Sequence, residues 1–197
     1  MYRDLQTGAA LEPDTLTTEQ WDSLTSGIDR LGRALREEYD LALQFHPHAD
    51  AHVATAEHTT RLLEATDPRF VSLCLDTGHI AYVGSDNLEI IQAHPERIGY
   101  LHLKQVDPDV MTRVRAQDMS FADAVTAGAM VEPPRGIPDM PSVLEAVEKL
   151  GNDVFAIVEQ DLYPCAPDAP LPIAKRTSAY LGSCGVAAVR GLRPAKG

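Results

Sequence analysis

Val71-Ser72-Leu73-Cys74-Leu75-Asp76-Thr77-Gly78-His79 decides how this chain folds. It is a short, largely apolar run halted by polar and turn-forming residues. A run of that length with such a stop reads as a buried strand, and strands of this kind belong to a parallel sheet covered on both faces. The pattern recurs three times. Leu41 to Phe45 stops at His46-Pro47-His48, Ile98 to Leu103 leads into Lys104, and Val154 to Val158 stops at Glu159-Gln160-Asp161.

Helical patterns fill the intervals. Thr17-Thr18-Glu19-Gln20 fits a capping box, and Trp21, Leu24, Ile28, Leu31 and Leu35 follow as one apolar stripe. Further helices are predicted over 55–65, 86–93, 110–116, 121–127, 139–150 and 173–181. Asp86 is a predicted N-cap, and Pro141 lies near a helix start. Glu132-Pro133-Pro134-Arg135-Gly136 reads as loop. Strands alternating with helices define an α/β class with a parallel sheet. The expected organisation is an N-terminal loop over 1–16, one α/β unit over 17–182, and a basic tail over 183–197.

Composition bounds the function. The 197 residues are 44% hydrophobic and 23% charged, ordinary values for a globular protein. A formal charge of −12 disfavours nucleic acid as a partner. No apolar stretch is long enough for a membrane span, and the start has no signal-peptide pattern. The three cysteines form no C-x-x-C pair, so no disulfide framework is expected and the cytoplasm is the default location. Dinucleotide, phosphate-loop and serine-elbow motifs are absent from the sequence.

Chemistry collects at the strand ends, where parallel α/β folds bind ligands. They carry His46 and His48, Asp76 and His79, His102 and Lys104, and Glu159 and Asp161. Alone, Asp76 reads as a turn former or helix cap, His102 as a hydrogen-bonded core residue, and Cys74 as an inert buried thiol. Together, imidazoles and carboxylates at successive strand ends suit a divalent transition metal.

His46-Pro-His48-Ala-Asp50, Leu75-Asp76-Thr77-Gly78-His79, His102-Leu-Lys104 and Val158-Glu159-Gln160-Asp161 resemble, in order and spacing, the xylose-isomerase-like TIM barrels. Within that family the nearest branch is the inosose dehydratases, with the sugar phosphate isomerases and epimerases as neighbours. The resemblance implies a (β/α) barrel of which about four strands, the C-terminal half, are present. A complete barrel takes about 250 residues.

It also implies a divalent metal cofactor, Mn²⁺, Co²⁺, Mg²⁺ or Zn²⁺, held by Asp76, His102 and Glu159. His48 would be the fourth ligand where relatives typically use a carboxylate, with His46 as the alternative there. Catalysis falls to Glu159, His79 and Lys104, and substrate contact to His46, Arg135 and Asp161. Gln105 stands where relatives often have Asp, and Ala54 where they often have Glu. The implied reaction is dehydration of a keto-inositol by proton abstraction next to a ketone. A sugar isomerase or epimerase is the alternative, and a non-catalytic barrel fragment is the third reading. Small polyols or keto-sugars are the expected ligands. A second copy is expected to cover the open half of the barrel.

Overall fold

A computed structural model describes residues 2–4, 7–151 and 154–186. Residues 187–197, most of the expected basic tail, lie outside the described residues. Helix α1 (Thr18–Tyr39) leads into strand β1 (Leu43–Phe45), α2 (Ala56–Glu64) and β2 (Val71–Asp76). Next come α3 (Thr77–Tyr82), α4 (Asn87–Ala93), β3 (Ile98–Leu103), β4 (Gln105–Val106), α5 (Pro108–Ala116) and α6 (Phe121–Thr126). The order closes with β5 (Met130–Val131), α7 (Met140–Glu148), β6 (Phe155–Val158) and α8 (Pro170–Ser183).

The four apolar runs form one sheet in the order β1-β2-β3-β6, parallel throughout. Cys74 pairs with Tyr100, Asp76 with His102, and Leu103 with Val158. This register brings the polar strand ends to one side.

Alternation fixes which face is core. Leu73, Leu75, Leu101 and Leu103 are buried against the helices with Leu62, Leu63, Ile90, Met140 and Val143. Each such side chain contributes about 1.5–3 kcal/mol on burial. Ser72, Cys74, Asp76, Tyr100 and His102 point to the opposite, inner face. That face and both sheet edges are only partly covered, and Phe155 is 66% exposed on β6 beside Ile157 and Val158. This is the parallel α/β arrangement expected from the sequence, with four strands.

Three local differences have physical causes. The first strand begins at Leu43, because Leu41 belongs to the end of α1: its N–H donates to Leu35 O (3.0 Å) after the left-handed Asp40. In α1 the Thr17/Gln20 capping box forms, but Leu31 is exposed and Gly32 takes the buried position. A Cβ on Gly32 would lie 2.5 Å from Phe70 O, so the helix approaches the β2 entry along its glycine. Finally, α8 starts at Pro170 rather than near Ile173, since prolines fit the first helical turn, where no intrahelical N–H bond is needed.

Candidate metal centre

Each residue of Asp76-Thr77-Gly78-His79 has a distinct job. Asp76 ends β2 and caps α3, its Oδ1 accepting from the N–H groups of Gly78 and His79, both at 2.9 Å. Its Oδ2 faces the inner side. Thr77 Oγ1 donates to Lys104 O (2.6 Å) and accepts from Lys104 N–H (2.9 Å), which ties α3 to the end of β3. Gly78 leaves room for the Lys104 stem: a Cβ there would lie 2.5 Å from Lys104 Cγ. His79 then closes over the ammonium, its Nε2 accepting from Lys104 Nζ at 3.2 Å. The strand stop is therefore also a helix start. Six residues are too few to show helical periodicity in the sequence.

Around this motif the strand ends converge. Asp76 Oδ2 lies 3.3 Å from His46 Nε2, 3.4 Å from His102 Nδ1 and 3.1 Å from Lys104 Nζ. His102 Nδ1 is 2.7 Å from Glu159 Oε2. Lys104 Nζ, with no solvent exposure, also reaches Glu159 Oε2 (3.2 Å) and Asp161 Oδ2 (2.8 Å). His46, Asp76, His102 and Glu159 each offer one ligand atom, all within 4.8 Å of one another.

The electrostatics follow from this crowding. Burial alone would raise the Asp76 carboxyl, but His102, His46, His79 and Lys104 hold it well below the usual carboxylate range. The Asp76 carboxylate, and after it Glu159, raise His102 above its ordinary value against the pull of burial. Burial works against the charged form of Lys104, yet Asp76, Asp161 and Glu159 outweigh it and raise its pKa. Burial pushes His79 down to about 2, so it is a neutral imidazole. Burial pushes the Cys74 thiol up to about 12.

The donor set fits a divalent cation on three counts. His102 Nδ1, Glu159 Oε2 and Asp161 Oδ2 are buried, and their nearest partners are one another and Lys104 Nζ. Asp76, Glu159 and Asp161 face a single ammonium. The carboxylates thus outnumber the ammonium, and a bound cation would balance the surplus negative charge. The span of the four ligand atoms is close to the ~4 Å across a shell of nitrogen and oxygen donors at about 2.0–2.2 Å from one ion.

The other expected residues fall differently. His46, rather than His48, joins the four-residue group. His48 stacks on His79, with ring centroids 3.7 Å apart, and its Nδ1–H donates to Ala49 O (2.7 Å). Two positions on, past Pro47, the second imidazole stacks on His79 and is not among the groups around Asp76. Asp161 is engaged by Lys104 and does not stand free for a substrate. Arg135 is exposed on the 132–136 loop, near Glu132. Gln105 braces that loop, donating from Nε2 to Pro138 O (2.6 Å) and accepting from Gly136 N–H (3.0 Å). The group at this position therefore points into the loop rather than into the donor set.

A groove of about 530 Å³ opens beside the cluster, lined by Gln44, His46, Cys74, Tyr100, His102 and Glu159. Gln44 and Tyr100 escaped notice in the sequence. Counting back by two from His46 and His102 would have found both, since alternate strand residues share a face.

A His, Asp, His, Glu set, buried at Asp76 and half-buried at the other three, gathers at the carboxyl ends of four parallel strands and defines an α/β protein with a candidate metal centre. The chain belongs to the xylose isomerase-like TIM barrel family, whose model matches residues 5–183. It is 37% identical over 171 residues to an inosose dehydratase of Geobacillus thermodenitrificans, covering 86% of this chain and 57% of that protein. The chain thus spans a little over half the length of that relative. Among solved structures it resembles an IolI protein with a bound zinc atom, with a TM-score of 0.62 and 21% identity over 88% of this chain and 60% of that one. It also resembles an L-ribulose 3-epimerase, with a TM-score of 0.66 and 15% identity over 90% of this chain and 58% of that one. No helix among the described residues is long and apolar enough to cross a membrane.

Proposed function

We propose that this chain carries the metal-binding portion of an inosose dehydratase-like lyase, acting on a keto-inositol or a similar polyol ketone. The observation that carries the reading is the convergence of His46, Asp76, His102 and Glu159 around buried atoms that lack aligned hydrogen bonds. The inosose dehydratase relative supports the substrate class.

His46, Asp76, His102 and Glu159 would hold the ion. When bound, it supplies Lewis-acid polarisation of the substrate ketone. The protein's own groups divide the remaining work. Glu159 has the access a base needs: its side chain is 38% exposed and borders the groove. It takes the proton next to the ketone. Lys104 is sealed from solvent and acts as a positioning residue, fixing Glu159, Asp76 and Asp161 through one ammonium. His79, neutral and behind Lys104, orients that ammonium by accepting its proton in a hydrogen bond. Expulsion of the β-hydroxyl from the carbanionic intermediate completes a dehydration. Reprotonation would instead give the isomerase or epimerase outcome.

The test separates these steps. The chain, loaded with Mn²⁺, Co²⁺ or Zn²⁺, is incubated with 2-keto-myo-inositol in deuterium oxide and followed by NMR. Exchange of the proton next to the ketone together with loss of water is expected. Glu159→Gln should slow both by about 10²–10⁴-fold. Exchange without water loss would favour the isomerase chemistry. A folded, metal-loaded chain that does neither refutes the proposal.

A further inference from the structure

Two tiers of donors line the inner face, and only the upper one is used above. Alternation along β2 puts Cys74 on the same face as Asp76, one step deeper. His46 follows the Phe45–Leu73 pair, level with Cys74, and His102 pairs with Asp76. The two imidazoles, with ring centroids 4.8 Å apart, therefore stand between the tiers. His46, Cys74 and His102 form a second group whose ligand atoms all lie within 4.8 Å of one another. Cys74 is buried, and it lines the groove beside both histidines. His102 Nδ1 is buried without an aligned hydrogen bond.

We propose that His46, Cys74 and His102 form a second, deeper metal position that selects thiophilic ions such as Zn²⁺ or Cd²⁺. It shares its two imidazoles with the carboxylate site above, so the positions are mutually exclusive. Hardness of the donors sets the choice. Two imidazoles and a thiolate favour zinc and softer ions, whereas two imidazoles and two carboxylates suit Mn²⁺ and other harder ions. Binding below forms an S–metal bond and releases the thiol proton to solvent. An ion there is drawn away from Asp76 and Glu159, so the metal supplied decides which tier is filled.

The inference rests on the metal reading above, and the experiment keeps the two apart. The full chain with Cys165→Ser and Cys184→Ser, which removes the exposed and half-buried thiols, is titrated with Co²⁺. A near-ultraviolet sulfur-to-cobalt charge-transfer band is expected, and it should disappear in Cys74→Ser and in Cys74→Ala. Competition titrations should show the preference for Zn²⁺ over Mn²⁺ falling at least about tenfold in both variants, the lower bound seen when weaker outer-shell support is lost. Cobalt binding without the band overturns this proposal and leaves the carboxylate site standing. So does an equal loss of Zn²⁺ and Mn²⁺ affinity in both variants. No binding of any of these ions overturns both. The cobalt spectrum needs no Cys74 variant, so poor folding of Cys74→Ser cannot obscure the result.

Discussion

Gly78→Ala sets two magnitudes of opposite sign against each other. Gly78 lies inside α3, where alanine is intrinsically better by about 0.8–1 kcal/mol. Against that, the new Cβ would meet Lys104 Cγ at 2.5 Å and Lys104 Cβ and Cδ at 2.7 Å. Contact with Lys104 Cβ is the decisive one, since that atom moves only with its backbone. The backbone is pinned by both Thr77 Oγ1 bonds, at 2.6 and 2.9 Å, and Nζ is pinned by three carboxylates. Overpacking costs about 1–3 kcal/mol. Lengthening the two Thr77 bonds adds about 0.5–1.5 kcal/mol each. After the helix gain, a net loss of about 1–5 kcal/mol is expected. For a chain of this size that lowers Tm by roughly 2–20 °C. The control is Gly182→Ala in α8, where a Cβ meets nothing within 4 Å. There the same substitution should stabilise by about 0.4–1 kcal/mol. Urea unfolding of the three proteins reads both effects. If Gly78→Ala is neutral, or stabilises as Gly182→Ala does, the close approach of Lys104 is not as the structure has it.

Thr77→Val keeps the shape of the side chain and removes both bonds to the Lys104 backbone, so a loss of about 2–3 kcal/mol is expected from equilibrium unfolding. Arg97 is buried, and its guanidinium donates to Val71 O (3.1 Å), Thr66 Oγ1 (2.9 Å) and Leu63 O. Arg97→Met leaves these acceptors dry and should cost about 2–4 kcal/mol, seen as a lower urea midpoint with an unchanged slope. Glu132 is held below its ordinary pKa first by hydrogen bonds from Arg176 and then by its charge. A depressed carboxyl stabilises above the unfolded value of about 4.5, and that contribution fades as pH falls through the lower folded value. The stability difference between wild type and Glu132→Gln should therefore shrink on acidification and with added salt. A difference that grows below pH 4.5 would contradict the pairing.

Much of this fold is legible because its elements are signalled locally. The β2 and β3 runs, the Thr17/Gln20 box and the Asp86 cap each announce themselves within a few residues. The donors Asp76, His102 and Glu159 are legible because a parallel sheet delivers all its strand ends to one side. What stays hidden depends on orientation after the strand ends. His46 and His48 are chemically equivalent in sequence, and only the turn at Pro47 decides which one meets Asp76. The α3 helix and the β4–β5 pair are too short for periodicity to show. Cys74 reads as inert because its chemistry depends on His46 and His102, far away in the sequence.

Metal binding and turnover make different demands on this architecture. The donors come from adjacent strands, and Lys104, anchored by Thr77 and Gly78, sets their spacing. The proposed ion site thus draws all four of its donors from one side of a four-stranded sheet. A polyol ketone needs more, because proton abstraction next to a ketone is efficient only where water is excluded and the substrate is held in one orientation. Tyr100, Gln44, Cys74 and the strand ends supply one wall of that enclosure. The opposite side of the groove is open, and Phe155 and Ile157 lie exposed on the same sheet. Metal affinity should therefore be a property of these strands alone, whereas turnover, measurable on these strands by themselves, should rise with whatever covers Phe155 and Ile157. A variant that abolishes metal binding acts on the first, and one that alters only kcat acts on the second.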